Sequence, residues 1–280
     1  MAKQLENQLG CLPTRIVCLT TETVEVLYLL GEQDRIVGIS GYTTRPAEAR
    51  KEKPKVAAFT SAKIDKILAL KPDLVLGFSN LQADIAAELI KAGIEVHVFN
   101  QRSLEDVLRM ILTVGRLVGA QTKAEALVAI YEKQISDALQ ASSRLTWRPT
   151  IYFEEWDKPM ICSIRWVAEL INIAGGEDCF PELTQFQSAT ERTVTPAQVL
   201  AKQPDIIIGS WCGKKFQPAQ VSARQGWSEL AAVKNGFVFE IKSVDILQPG
   251  PSLFTHGLPQ LQTIIQQWVA TQSLTQRLRA

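Results

Sequence analysis

Residues 67–77, ILALKPDLVLG, return 132 positions further on as residues 199–209, VLAKQPDIIIG. In each copy apolar residues at helical spacing (Ile64, Ile67 and Leu68; Val199 and Leu200) run up to a proline. Proline has no amide hydrogen and cannot continue the helix. An aspartate then opens a short apolar run, Leu74-Val75-Leu76 or Ile206-Ile207-Ile208, closed by glycine. A continuous apolar run of that length, bounded by turn residues, predicts a strand covered on both faces, as in a parallel sheet flanked by helices. Each copy is therefore an α-turn-β unit.

The same alternation extends outward from both copies. Around the first, residues 15–19, 35–39 and 95–99 predict strands, and 23–30 and 81–92 predict helices. Together they make a complete small α/β lobe over residues 14–102. Around the second, strands at 150–154 and 236–241 and a helix at 167–174 predict a similar lobe over residues 146–280. Between them, residues 103–145 carry no proline and only Gly115 and Gly119. Leu104, Val107, Leu108, Ile111, Leu112 and Val114 keep helical spacing there, and Leu127, Ile130, Ile135 and Leu139 resume it. The segment reads as one long helix, with Gly119-Ala120-Gln121 as its candidate break. A rod of that length would hold two lobes apart and limit hinge motion.

Composition narrows the function classes. The chain has 280 residues, 46% hydrophobic and 21% charged, the balance of a globular protein of one large or two ordinary domains. Its net charge of +1 argues against nucleic acid or an anionic membrane as partner. No stretch approaches the roughly 20 apolar residues of a membrane span, which argues against membrane insertion. The first residues, MAKQLENQLGCLPTRIVCL, lack the apolar core of a signal peptide. As written, the expectation is a cytoplasmic protein, or a periplasmic one if a leader is missing. Cys11, Cys18, Cys162, Cys179 and Cys212 are odd in number and form no CxxC pair, so buried free thiols are expected rather than disulfides or a zinc site.

Six stretches in order carry a resemblance: GYTTRP (41–46), FTSAKIDKILALKPDLVLG (59–77), FEEWDKP (153–159), AGGEDCF (174–180), TPAQVLAKQPDIIIGSW (195–211) and LQPGPSLFTHGLPQL (247–261). From about residue 14 to 269 the chain resembles the substrate-binding proteins of ABC importers for cobalamin and iron complexes, the cobalamin-binding ones most of all. The resemblance implies an α/β fold of the class III, helical-backbone type: two Rossmann-like lobes joined by a single long α-helix, with little closure on binding. It implies a ligand, cobalamin or a related metal chelate, held in the cleft between lobes. It also implies no catalysis, no intrinsic cofactor or metal, and the membrane permease of an importer as partner.

By position, the resemblance places five aromatics at strand ends as ligand platforms: Tyr42, Phe59, Phe78, Trp156 and Trp211. A corrin or porphyrin has a broad, flat, mostly apolar face with a polar edge, which aromatic platforms and a few rim donors suit. Arg165, Lys214, Lys215 and Arg224 are the candidate rim donors, with Asp245 and Gln248 before the final helix. Trp166 and Cys212 complete the ligand-binding set. His97 in a strand and His256 at the opening of the final helix are read as structural, since two isolated histidines lack metal-ligand spacing.

Docking in these importers uses an acidic residue on a short helix of each lobe. Asp65 supplies the first, but Ala197 stands at the second, with Glu191 as a nearby acid. The missing charge weakens one of two steering points. Haem or an iron–siderophore complex is the alternative ligand. An enzyme is the alternative class: Cys212 lies beside Lys214 and Lys215, a setting able to lower a thiol pKa, and Glu154 and Glu155 form a carboxylate pair. A scaffold would need exposed apolar surface or further repeats, and neither is visible.

Overall fold

The computed structural model describes residues 12–279. These divide into two compact units, with the boundary between Tyr131 and Glu132. Cys11 and the rest of the extreme N-terminus lie outside the described residues.

The first unit contains β1 (Ile16–Cys18), α1 (Thr21–Leu29), β2 (Ile36–Ser40), α2 (Ala49–Glu52), β3 (Lys55–Ala57), α3 (Ile64–Ala69), β4 (Leu74–Phe78), α4 (Ala83–Lys91), β5 (Val96–Phe99) and α5 (Leu104–Leu117). Its five strands form one sheet in the order β3-β2-β1-β4-β5, parallel throughout. Every residue of β1 and β4 is buried, as a sheet covered on both faces requires. On one face Val17, Leu19 and Val75 pack against Ile67 of α3 and Ile85 and Leu89 of α4. Strand β3 is absent from the sequence reading because its Lys55-Val56-Ala57 has a single buried apolar residue to announce it.

The next helix, α6 (Gln121–Ser142), crosses the unit boundary. The residues expected to form one rod thus form two helices, and the interruption lies at the glycine named as the candidate break. Gly119 is left-handed (φ 72°). The Ala120 N–H donates back to the Gly115 carbonyl (2.7 Å) and the Gly119 N–H to that of Arg116 (3.3 Å). This pair of bonds closes the helix as a Schellman motif. Gly115 serves the same corner, since a Cβ there would collide with Ala124 of α6. At the other end of α5, Ser103 and Asp106 form a capping box.

The second unit contains β6 (Thr150–Asp157), β7 (Met160–Cys162), α7 (Arg165–Ala174), β8 (Glu177–Asp178), α8 (Pro196–Lys202), β9 (Ile206–Gly209), α9 (Pro218–Ser222), α10 (Ala231–Lys234), β10 (Val238–Glu240), α11 (Ser243–Ile246) and α12 (Leu258–Arg279). Its sheet runs β10-β9-β6-β7, with β8 also paired to β6. Here the expected likeness between halves is incomplete, because β7 is antiparallel to β6. The hairpin turns at Lys158-Pro159, so β6 continues past position 154, and Trp156 lies within it rather than on a following loop. Tyr152 sits at the centre of the core, edge-on to Phe180 (6.1 Å) and to Trp227 (5.8 Å).

The repeated stretches prove equivalent in three dimensions. Each unit's short helix, α3 or α8, ends at a left-handed residue, Lys71 (φ 47°) or Gln203 (φ 48°), followed by the proline. The aspartate after it clasps the strand beside it. Asp73 accepts from the Thr14 N–H (2.7 Å) and the Arg15 N–H (2.9 Å), and its own N–H donates to the Arg15 carbonyl (3.0 Å). Asp205 accepts from the Thr150 N–H (2.9 Å) and donates to the Thr150 carbonyl (2.8 Å). The ladders then start alike, Ile16 opposite Leu74 and Ile151 opposite Ile206. Arg15 adds a side-chain cap, its Nε and Nη2 donating to the Leu70 carbonyl at the end of α3 (3.0 and 2.6 Å).

The two aspartates titrate in opposite directions. Burial works against the Asp73 carboxylate, but the Thr14 and Arg15 amides outweigh it and lower its pKa below 3.8. At Asp205 burial prevails and the pKa rises. Asp73→Ala should therefore destabilise the protein at neutral pH in urea unfolding, by no more than about 1 kcal/mol because solvent screens this exposed carboxylate. The wild-type advantage should be complete above the ordinary carboxylate value and vanish as pH falls through the lowered folded value. A pH-independent difference would assign the loss to packing instead.

Candidate functional site

Open α/β sheets take ligands at the carboxyl ends of their strands, and both units gather polar and aromatic side chains there. In the first unit, α1 starts three residues after β1, so Thr20, Thr21, Glu22 and Thr23 are buried at the strand's end. Burial raises the pKa of the Glu22 carboxyl, against the Thr20 and Thr21 groups that favour its charge. Tyr42 follows β2 and is 60% exposed. Phe78 closes β4, buried, with the Phe59 ring 6.4 Å away and the Arg102 guanidinium 5.2 Å from its ring centre. Gln82, fully buried, ties these ends together: its Oε1 accepts from the Phe78 N–H (2.9 Å) and its Nε2 donates to the Phe59 carbonyl (2.8 Å). Neither Glu22 nor Gln82 carries a motif; their placement beside strand ends is the signal that could have found them.

In the second unit, the FEEWD stretch of β6 organises the edge through three ion pairs. Glu154 is fully buried and accepts four hydrogen bonds: from Tyr152 OH (2.9 Å), Trp211 Nε1 (2.9 Å), and Arg224 Nη1 and Nη2 (2.6 and 2.8 Å). Burial opposes the Arg224 charge, but Glu154 more than offsets this and raises the guanidinium pKa. Burial, then the Glu154 charge, pushes the Tyr152 phenol well up. Glu155 pairs with the buried Arg192 (2.7 Å), which also donates to the Cys162 carbonyl (2.6 Å). Asp157 pairs with Lys214 (2.6 Å). Lys214 Nζ stands 4.6 Å from the centre of the Trp211 ring and 5.5 Å from that of Trp156.

Several residues nominated from sequence lie elsewhere than expected. Arg224 has both of its Nη groups on Glu154 and its face on Trp227 at 4.6 Å. Trp166 is a core residue: helix α7 turns it inward, and its indole N–H donates to the Ile246 carbonyl (3.1 Å). Arg165, one position earlier, is exposed and pairs with Glu169 one turn on (2.8 Å). Asp245 lies in α11 and accepts from Gln260 (3.2 Å), while Gln248 is half-buried just beyond. Lys215 and Asp65 are exposed, as are Ala197 and Glu191. Trp156 is half-buried, its indole N–H on the Lys158 carbonyl (3.0 Å).

The cysteines differ in exposure. Cys18, Cys162 and Cys179 are buried free thiols, but Cys212 is exposed. Its sulfur is partly desolvated, and that effect, then the Glu155 charge, raises its pKa rather than lowering it. Glu154 and Glu155, the carboxylate pair considered for acid–base work, are each bound to an arginine. The His97 ring lies tilted against that of Phe99 (4.3 Å) and burial lowers its pKa; His256 is exposed beside Thr255 in a π-helical turn before α12. Among the described residues no cluster of His, Cys, Asp and Glu is arranged to hold a metal ion, and no helix is long and apolar enough to cross a membrane.

The Glu154–Arg224 pair should resist single truncation. Glu154→Ala strands a guanidinium inside the protein and should cost roughly 3–5 kcal/mol in chemical denaturation. Glu154→Met with Arg224→Met should recover most of that loss. Equal destabilisation by the single and double variants would show that the pair's shape, not its charge balance, matters.

Comparison with known proteins agrees with this architecture. A model described as periplasmic binding protein matches residues 16–244. An uncharacterized ABC transporter substrate-binding lipoprotein of Bacillus subtilis, YvrC, is 27% identical over 258 residues, covering 89% of this chain and 79% of the relative. A vitamin B12-binding protein of Vibrio parahaemolyticus is 25% identical over 240 residues, covering 85% and 84%. Among solved structures, the periplasmic heme-binding protein RhuT of Roseiflexus shares the fold, with a TM-score of 0.80 at 22% identity over 91% of this chain and 98% of that one. With two α/β units, largely parallel sheets and a family match over most of its length, the chain belongs to the periplasmic binding protein family.

Proposed function

We propose that this protein binds a corrinoid or a similar metal chelate without transforming it, as the substrate-binding component of an ABC-type uptake system or a relative of one. The observation that carries the reading is the aromatic content of the strand ends. Trp156 and Trp211 belong to the paired strands β6 and β9 or their immediate continuation, and share the Lys214 ammonium between their rings. Tyr42, Phe59 and Phe78 occupy the same kind of position in the first unit. The exposed rings of Tyr42 and Phe59 and the half-buried ring of Trp156, with charged groups beside the last, suit a large flat ligand. The names of the Vibrio and Bacillus relatives support both the ligand class and the importer setting. Binding rather than catalysis is supported by the engagement of Glu154 and Glu155 in ion pairs and by the raised Cys212 thiol.

Haem is the second reading, favoured by the heme-binding structure of like fold and by the cations Lys214 and Lys215 at the second sheet's edge, which suit a ligand bearing carboxylates. The macromolecular partner would be the importer's membrane subunit, met through exposed Asp65, with Glu191 the available acid near Ala197. The compartment follows from that partnership, and the lipoprotein relative favours an extracytoplasmic one.

Titration with cyanocobalamin, hydroxocobalamin, haemin and a ferric siderophore, followed by tryptophan fluorescence and the ligand's visible spectrum, tests the reading. Saturable binding of a corrinoid at micromolar concentration or below is expected. Trp156→Ala should weaken it by about 1–3 kcal/mol, roughly 5- to 150-fold. Saturation by haemin alone would select the second reading. No saturable binding of any of the four would refute the chelate assignment.

A further inference from the structure

Trp211 is offered as a platform, yet it is only 3% exposed. It belongs to the core of the second unit, and two side chains from its own following loop help to cover it. Phe216 packs edge-on against the indole at 4.9 Å, and Lys214 places its ammonium 4.6 Å from the ring centre. Each covering residue has a seat elsewhere. The Phe216 ring lies directly on Gly209, the last residue of β9, where any Cβ would fall inside the ring. Its N–H donates to Glu240 at the end of β10 (3.3 Å). Lys214 is held by Asp157, a carboxylate buried at the end of β6.

Between these seats the loop is held by the Lys214 N–H on the Trp211 carbonyl (3.4 Å), and its end by the Gln220 N–H on the Gln217 carbonyl (3.0 Å). Cys212, Gly213, Lys215 and Gln217 are exposed. Gly213 has a left-handed backbone (φ 72°) with open space where a side chain would stand. The indole beneath is the fixed part, since its N–H is bound to Glu154, which Arg224 holds in turn. A cover attached through Phe216, itself buried in the core, and through Lys214 on Asp157 thus lies over a ring anchored by Glu154.

We propose that residues 212–217 form a latch over Trp211 and that Lys214 is the specificity-determining residue that sets which ligands open it. The proposal rests on Trp211 being a stacking platform of the chelate site. A flat ligand reaches that ring only when the ammonium leaves, and its departure strands the buried Asp157 carboxylate. A ligand edged with carboxylates offers Lys214 a new ion pair in exchange. An edge of neutral amides offers only a neutral acceptor, so the wild-type latch biases the site toward the carboxylate-edged chelate. Haemin and cyanocobalamin differ in this respect and serve as the two probes.

The test pairs Lys214→Met with Asp157→Asn, which removes the ion pair without leaving either charge alone, and uses Phe216→Ala as an independent way to loosen the latch. In the ligand-free protein labelled with 5-fluorotryptophan, the Trp211 fluorine resonance is identified by its loss in Trp211→Phe. Its solvent-isotope shift should increase in both loosened variants, and thermal melts establish that they fold. Stopped-flow binding should show about three- to tenfold tighter cyanocobalamin binding by the double variant, through faster association, with haemin unchanged or weaker. Unaltered Trp211 exposure in both folded variants would overturn the latch, whatever the ligand. Increased exposure with an unchanged ratio of the two affinities would overturn the role given to Lys214. If no chelate binds wild type or variant while Trp211 exposure rises, the latch stands as a cover, and the specificity role falls together with the chelate reading.

Discussion

The fold depends on an aspartate that reads a neighbouring strand. After each short helix a left-handed residue and a proline end the helix, and the aspartate that follows exchanges hydrogen bonds with the backbone just before β1 or at the start of β6. This contact joins residues 58 or 55 positions apart in the chain. Parallel strands need long crossovers and have no hairpin to set their register. The aspartate supplies that register at the first rung, and the apolar strand beyond it follows into the core. Two units built on the same device have the same central pair of strands, β1 with β4 and β6 with β9.

Strand register in turn fixes what stands at the carboxyl edges. On β6 the residues after the core-filling Phe153 are two glutamates, a tryptophan and an aspartate. Alternation would turn some of these acids inward, and each is met by a cation: Arg224, Arg192 or Lys214. The Glu154 pair is enclosed and fully hydrogen-bonded, which lets a charge persist inside the protein. Its consequence for function is positional. Glu154 anchors the Trp211 indole, while the Asp157 pair, at a more exposed lysine, holds the cover. One edge therefore combines a ring anchored by a buried ion pair with a cover attached through an exposed lysine.

The extent to which this was legible in the chain follows from the range of the interactions involved. The repeated α-turn-β units depend on proline, glycine and short apolar runs, all local, and both were readable with their core strands. The break at Gly119 was readable for the same reason. The β6–β7 hairpin was not, because Lys158-Pro159 lacks the Asn-Gly or Asp-Gly signature of a tight hairpin turn. Arg224 looked like a free surface cation because its partner Glu154 is 70 residues away. Trp166 could have been read as core, since it shares a helical face with Leu170. Gln82 is a polar residue whose use, tying Phe59 to Phe78, exists only once the strands are assembled.

The most direct test of the central claim, that aromatic residues at the strand ends hold a flat metal chelate, is a crystal structure of the protein grown with the tightest-binding chelate. The chelate plane should be stacked on Trp156 and Trp211 at the edge formed by β6 and β9, with Lys214 withdrawn from between them. A chelate bound away from both tryptophans, with Lys214 still seated on Asp157, would contradict it.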